Sequence, residues 1–211
     1  MAEATPLYQI RLAVRRELSD LNAGDTVIVA ASGGADSSAL AAALLPECEE
    51  RAIKVVALII DHSLQKNSAD VAHQAKKELT KLGYENIEIR KISVEVTDGI
   101  EASARRARYV ALNEVAQQHN AVAIFMGHTK DDQAETVLLG LARGSGTRSL
   151  SGMAQRIDNY RRPLLSITRA QTEAACEEAG IKFWRDPHNQ SMEFTREIGR
   201  ASCRERVLRL V

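Results

Sequence analysis

Aromatic residues are scarce in this chain of 211 residues, only 4% of the total with a single Trp, so a core has to be built from Ala, Val, Leu and Ile. Its three cysteines, Cys48, Cys176 and Cys203, are odd in number and far apart, with no C-x-x-C pair. That disfavours a disulfide framework, a zinc ribbon or a cysteine-held iron–sulfur cluster within one chain, and it suits a reducing cytoplasm. Net charge is also lacking: 28 Lys and Arg balance 28 Asp and Glu. Any nucleic-acid partner must therefore be held by a local basic patch and not by the field of the whole molecule. No stretch reaches the roughly 18 apolar residues of a membrane span, and no leader-like run opens the chain. A cytoplasmic protein that does not engage a membrane is expected.

What is present is an alternation of two hydrophobic periods. Residues 7–21 carry apolar positions among Arg and Glu and read as an amphipathic entry helix. The β-branched run 26–31 predicts a strand that enters a Gly-rich turn and then an Ala-rich helix over 38–45. The unit recurs as strand 54–60 with helix 68–82, strand 86–94 with helix 100–119, and strand 121–126 with helix 131–142. A helix over 168–179 and a short last strand over 181–184 complete the series. Strands alternating with helices imply βαβ crossovers, hence an α/β fold with an open parallel five-stranded sheet and helices on both faces. Residues 1–22 are expected to form the N-terminal helix of a catalytic domain that occupies 23–196.

The turn after the first strand reads Ser32-Gly33-Gly34-Ala35-Asp36-Ser37. Two glycines allow a backbone with φ above zero, so successive amides can face one anion while the helix N-terminus adds its dipole. The hydroxyls of Ser32, Ser37 and Ser38 can join them. A carboxylate such as Asp36 beside bound phosphate requires a cation between them, which assigns Asp36 to Mg²⁺. A tight strand-to-helix turn capped by Asp36 would also account for the glycines. No G-K-[ST] follows and no G-x-G-x-x-G is present, so neither the Walker A loop nor the dinucleotide fingerprint applies.

Two further blocks fall at strand ends. Asp61 and His62 close the second strand, where an Asx-type turn is the competing explanation, and Gly127-His128-Thr129-Lys130-Asp131-Asp132-Gln133-Ala134-Glu135-Thr136 closes the fourth. Ligands of open parallel sheets bind outside the carboxyl ends of strands, which places these residues beside the glycine turn. Asp132 and Glu135 are three apart, so on a helix their carboxylates project together toward a metal or a cationic amine; a capping box is the alternative. On helix 100–119, Arg105 and Arg108 share a face suited to phosphate, or simply to solvent. From 143 to 169 the chain carries Arg143, Arg148, Arg156, Arg161, Arg162 and Arg169 against the single acid Asp158, an excess that could track a phosphate backbone.

The string S-G-G-A-D-S resembles the PP-loop of the ATP-pyrophosphatase superfamily. Together with D-H-S-L, E-A-S-A-R-R-A-R-Y, G-H-T-K-D-D-Q-A-E-T and the later R-G-S-G, R-P-L-L and D-P-H-N, it resembles the tRNA(Ile)-lysidine synthetases over residues 27–196. The resemblance implies an enzyme that uses ATP and Mg²⁺ to adenylate the wobble cytidine of a CAU-anticodon tRNA(Ile), after which free L-lysine displaces AMP. It implies a nucleotide site of Ser32, Gly33, Gly34, Ala35, Asp36, Ser37, Asp61 and His62, and catalytic roles for Asp36, Arg108, His128, Asp132 and Glu135. It also leaves room for a homodimer. A PP-loop tRNA thiolase is the nearest rival, and that chemistry ordinarily needs clustered cysteines; a truncated nucleotide-binding fragment without catalytic activity is the other alternative. Two departures stand out: His188 replaces a small hydroxyl residue in the D-P-[ST]-N turn, and 197–211 resembles a translated sequencing adapter. The tail is therefore expected to be non-native and the C-terminal tRNA-binding region absent.

Overall fold

Apolar residues on alternate sides of three central strands decide how the helices are distributed. The computed structural model describes residues 4–61, 68–92, 100–142 and 151–184. The central strands are β1 (Thr26–Ala31), β2 (Lys54–Asp61) and β4 (Ala121–Phe125), flanked by β3 (Ile87–Lys91) and by a two-strand ribbon, β5 (Arg156–Ile157) and β6 (Tyr160–Arg161). Six α-helices accompany them among the described residues: α1 (Pro6–Glu17), α2 (Ala35–Glu49), α3 (Ser68–Leu82), α4 (Ile100–Gln118), α5 (Lys130–Ala142) and α6 (Arg169–Glu178).

Val27, Val29, Ala57, Ile59, Ala123 and Phe125 face one core with side chains from α1, α2, α3 and α6. Ile28, Val56, Leu58, Ile124 and Met126 point the other way, onto Leu112, Val115 and Ala116 of α4. This period-two split lets one strand serve two helical layers. Helix α2 is the most enclosed, with Ala39, Leu40, Ala41, Ala43, Leu44 and Cys48 all at 0% exposure. Burying Leu40 and Leu44 contributes about 1.5–3 kcal/mol each. The entry helix joins the same core through Ile10 and Val14, and its buried neighbour Glu47 accepts hydrogen bonds from Arg11 Nε and Arg15 Nε, each at 2.8 Å.

The sheet has six strands in the order β3-β2-β1-β4-β6-β5, correcting the expected five. All neighbours are parallel except β5 against β6. Residues 181–184 are not a strand. The position next to β4 is taken by β6, and the 181–184 segment instead crosses the glycine turn, with the Trp184 amide donating to the Gly33 carbonyl at 2.9 Å. Strand order runs outward from β1 to β3 and then restarts at β4 on the other side of β1. The β1/β4 boundary is therefore the topological switch point, where an open parallel sheet leaves a crevice at its carboxyl end. Among the described residues no helix is long and apolar enough to cross a membrane.

Candidate active site

The carboxyl ends of β1 and β4 bring two loops into contact. On the β1 side, Gly33 has φ of +83° and Gly34 takes the N-cap of α2. Gly33 is required twice over: its φ disfavours a side chain, and a Cβ there would meet Ala75 Cβ of α3 at 3.2 Å. Ser37 ties the bend from below. Its hydroxyl accepts from the Ser32 amide at 3.1 Å and donates to the Gly34 carbonyl at 3.1 Å. Space is left at Gly34, where a Cβ would meet only Ser32 Oγ, at 3.7 Å. The first amides of α2 and the exposed Ser32 hydroxyl thus frame a place for an anion.

On the β4 side, Gly127 sits against the same helix start. A Cβ at Gly127 would lie 3.0 Å from the Ser37 amide nitrogen and 3.1 Å from the Asp36 carbonyl. His128 and Thr129 follow, both buried, and α5 begins. Thr129 occupies its N-cap, and Asp132 reaches back to accept from the Thr129 amide at 2.7 Å and from its hydroxyl at 3.0 Å. This is the acid half of a capping box, so Asp132 Oδ2 holds the helix start while Oδ1 faces the crevice.

Arg169, the first residue of α6, joins the two loops. Its Nε donates to Asp36 Oδ2 at 3.3 Å and its Nη2 to Asp132 Oδ1 at 3.2 Å. Thr172 donates its hydroxyl to Asp36 Oδ1, and the Arg169 amide donates to Asp131 Oδ2 at 2.8 Å. Burial pushes both Asp36 and Asp132 above the usual carboxylate range, with Arg169 opposing the shift in each. Burial works against the charge of Arg169, but Asp36 and Asp132 overcome it and hold the guanidinium above its ordinary value. Two carboxylates from different loops, facing one cationic group, can serve cation binding.

The other expected residues are distributed differently. Asp61 ends β2 and is buried, while its partner His62 lies outside the described residues. Glu135 stands one turn beyond Asp132 on α5 and is half-buried. Arg108 is buried on α4, where desolvation and neighbouring Arg105 push its guanidinium down to about 10. Arg105 does not share that environment: it is exposed and stacks over Tyr109 at 5.2 Å. The basic stretch expected to track phosphate is largely committed within the fold. Arg161 grips Asp20 at 2.6 and 2.9 Å, Arg156 pairs with Glu17 at 2.6 Å, and Arg162 is buried with its Nη1 on the Ala154 carbonyl at 2.9 Å. Arg143 and Arg148 lie outside the described residues, as do the R-G-S-G segment, the D-P-H-N turn with His188, and the tail 197–211.

A family model described as the PP-loop domain matches residues 8–208. The chain belongs to the PP-loop domain family. Within it, the chain is 46% identical over 191 residues to a tRNA(Ile)-lysidine synthase of Thermobifida fusca, covering 90% of this chain and 59% of that protein. It is 47% identical over 173 residues to the tRNA(Ile)-lysidine synthase of Streptomyces coelicolor, covering 81% of this chain and 49% of the relative. The PP-loop chain described here thus spans about half to three fifths of the length of those curated relatives. Among solved structures, its fold is similar to that of the U34-tRNA thiolase of Methanococcus maripaludis with its 4Fe-4S cluster. The TM-score is 0.70 at 19% identity, covering 92% of this chain and 71% of that one.

Proposed function

We propose that this chain is the catalytic domain of a tRNA(Ile)-lysidine synthase, a ligase that forms a carbon–nitrogen bond. It adenylates the wobble cytidine of a CAU-anticodon tRNA(Ile) with ATP and lets free L-lysine displace AMP, with diphosphate as the other product, in the cytoplasm. Relatives of that name at 46% and 47% identity support the reading, and the observation that carries it is the juxtaposition of Asp36 and Asp132 across one cation at the switch point. The amides of 33–37 hold the phosphates, Ser32 adds a hydroxyl contact, and Ser37 shapes the bend from below. Asp132 and Glu135 receive the lysine ammonium and take up its proton as the amine attacks. Arg108 and His128 face the nucleotide and the activated base.

The donor set fits Mg²⁺. Among the described residues no group of three or more His, Cys, Asp or Glu forms a metal cage, and Mg²⁺ at a nucleotide is commonly held by one or two carboxylates plus phosphate oxygens. Asp36, beside the anion site, supplies such a carboxylate. When bound, the ion neutralises charge on the departing diphosphate.

Cysteine chemistry of the thiolase kind finds less support. Cys176 meets the Ala35 carbonyl at the start of α2, while Cys48 lies near its end, about 20 Å away at the helical rise. Burial pushes each thiol up to about 12. The decisive assay is ATP-dependent transfer of labelled lysine to CAU-anticodon tRNA(Ile), with methionine tRNA as control. Transfer to the isoleucine tRNA alone is expected, falling at least about 100-fold in Asp132→Ala. Undiminished transfer in that variant would refute the assignment.

A further inference from the structure

Arg169 is held more loosely than the buried Arg161. Arg161 is 9% exposed and grips Asp20 through two nitrogens at 2.6 and 2.9 Å. Arg169 is 40% exposed and touches each of its two carboxylates through one longer contact, 3.3 Å to Asp36 and 3.2 Å to Asp132. Its backbone is fixed independently of that side chain. Thr168 caps α6 in a full capping box with Gln171, and the Arg169 amide is bound by Asp131. The guanidinium can therefore leave while the helix stays.

The two oxygens it occupies, Asp36 Oδ2 and Asp132 Oδ1, belong to the residues that the proposed function assigns to Mg²⁺ and to the lysine ammonium. A carboxylate cannot coordinate an incoming cation and keep a guanidinium at the same oxygen without placing two like charges side by side, where they repel. Loading either cation must loosen Arg169, which then has Asp131 and the phosphate that the first turn of α2 receives as its anionic partners.

We propose that Arg169 is a positioning residue that stands in for the reaction's cations. Before loading it bridges Asp36 and Asp132 and shuts stray divalent metal out. On loading it yields Asp36 to the metal and Asp132 to the amine, and turns to the nucleotide phosphates. Divalent metal thus enters with nucleotide and not ahead of it. The inference rests on reading Asp36 and Asp132 as cation sites, but it requires neither tRNA nor lysine.

Mn²⁺ binding followed by electron paramagnetic resonance tests it. Without nucleotide, Arg169→Met is expected to bind Mn²⁺ about tenfold more tightly than the wild type, because Asp36 and Asp132 lose their shared counter-ion. Asp36→Asn in the same background removes the gain. With α,β-methylene-ATP present the order reverses, and the variant binds the Mn²⁺ complex several-fold more weakly for want of a phosphate partner. Mn²⁺ affinity in Arg169→Met equal to or below that of the wild type without nucleotide overturns the proposal. Should Arg169→Met fail to fold, Arg169→Gln decides the question: a neutral amide removes the counter-charge from both carboxylates, so Mn²⁺ affinity rises several-fold, and an unchanged value overturns it equally. Failure here leaves the lysine-transfer assay standing, and failure of that assay leaves this measurement meaningful.

Discussion

Gly127 shows how closely the two loops of the site are fitted. Any side chain there meets backbone atoms of Asp36 and Ser37 at 3.0–3.1 Å, and backbone cannot rotate away as a flexible side chain can. Gly127→Ala is predicted to lower stability by about 1–3 kcal/mol, as overpacking does, and to weaken ATP binding about tenfold by displacing the anion-binding turn. Urea denaturation and nucleotide titration check the two effects, and wild-type values for both would remove the fit argued here. Asp36 and Asp132 were legible in the sequence because their motifs stand at strand ends, where a parallel sheet exposes its chemistry. Arg169 was not. It lies more than 100 residues from Asp36 along the chain, inside a basic stretch whose net charge suggested a surface patch, and charge counting is blind to which arginines find internal acids. Gln133 was equally silent. Its side-chain amide donates to the Met153 carbonyl at 2.8 Å and accepts from the Met153 amide, tying the segment after α5 to the site helix.

Among the elements, the long periodic helices and the buried parallel strands were readable to within a few residues, because their side chains face packed layers on fixed periods. The ribbon of β5 and β6 was not readable, since two residues per strand cannot display a period. Besides its pairing with β4 and the burial of Tyr160, ion pairs hold it: Arg156 on Glu17 and Arg161 on Asp20, both acids at the end of α1 or just beyond it. Residues 181–184 failed in the opposite sense. Ile181, Phe183 and Trp184 have strand propensity, yet Ile181 is buried against the helical core of α2 and α6 and never reaches a sheet edge. Between α1 and α2, Glu47 is fully buried under Arg11, Arg15 and Arg51. The Arg15 hydrogen bond, helped by those of Arg11 and Arg51 and opposed by burial, holds its carboxyl at about 2 against an ordinary 4.5. A depressed carboxyl pKa contributes stability above the unfolded value and loses it as pH falls through the folded one. Stability is therefore predicted to drop between about pH 4.5 and pH 2, by about 1–2 kcal/mol from this group once screening around the part-exposed arginines is allowed for. Glu47→Gln should flatten that part of the profile in acid denaturation; an unchanged slope would contradict the clamp.

At the scale of the whole molecule, function follows from one topological fact. The chain builds β1 to β3 outward, returns across the sheet through α4, and lays β4 on the far side of β1, so the crevice opens where the glycine turn and the Asp132 loop both end. The fold shared with the thiolase structure at 19% identity is consistent with a scaffold whose chemistry is set by the loops at that boundary. The most direct measurement is calorimetric titration of the chain with α,β-methylene-ATP, with and without Mg²⁺, in the wild type and in Asp36→Asn. The account predicts one nucleotide per chain, about tenfold tighter with Mg²⁺ than without, and a loss of that difference in the variant. No nucleotide binding with Mg²⁺ present, or a magnesium effect that survives Asp36→Asn, would contradict it.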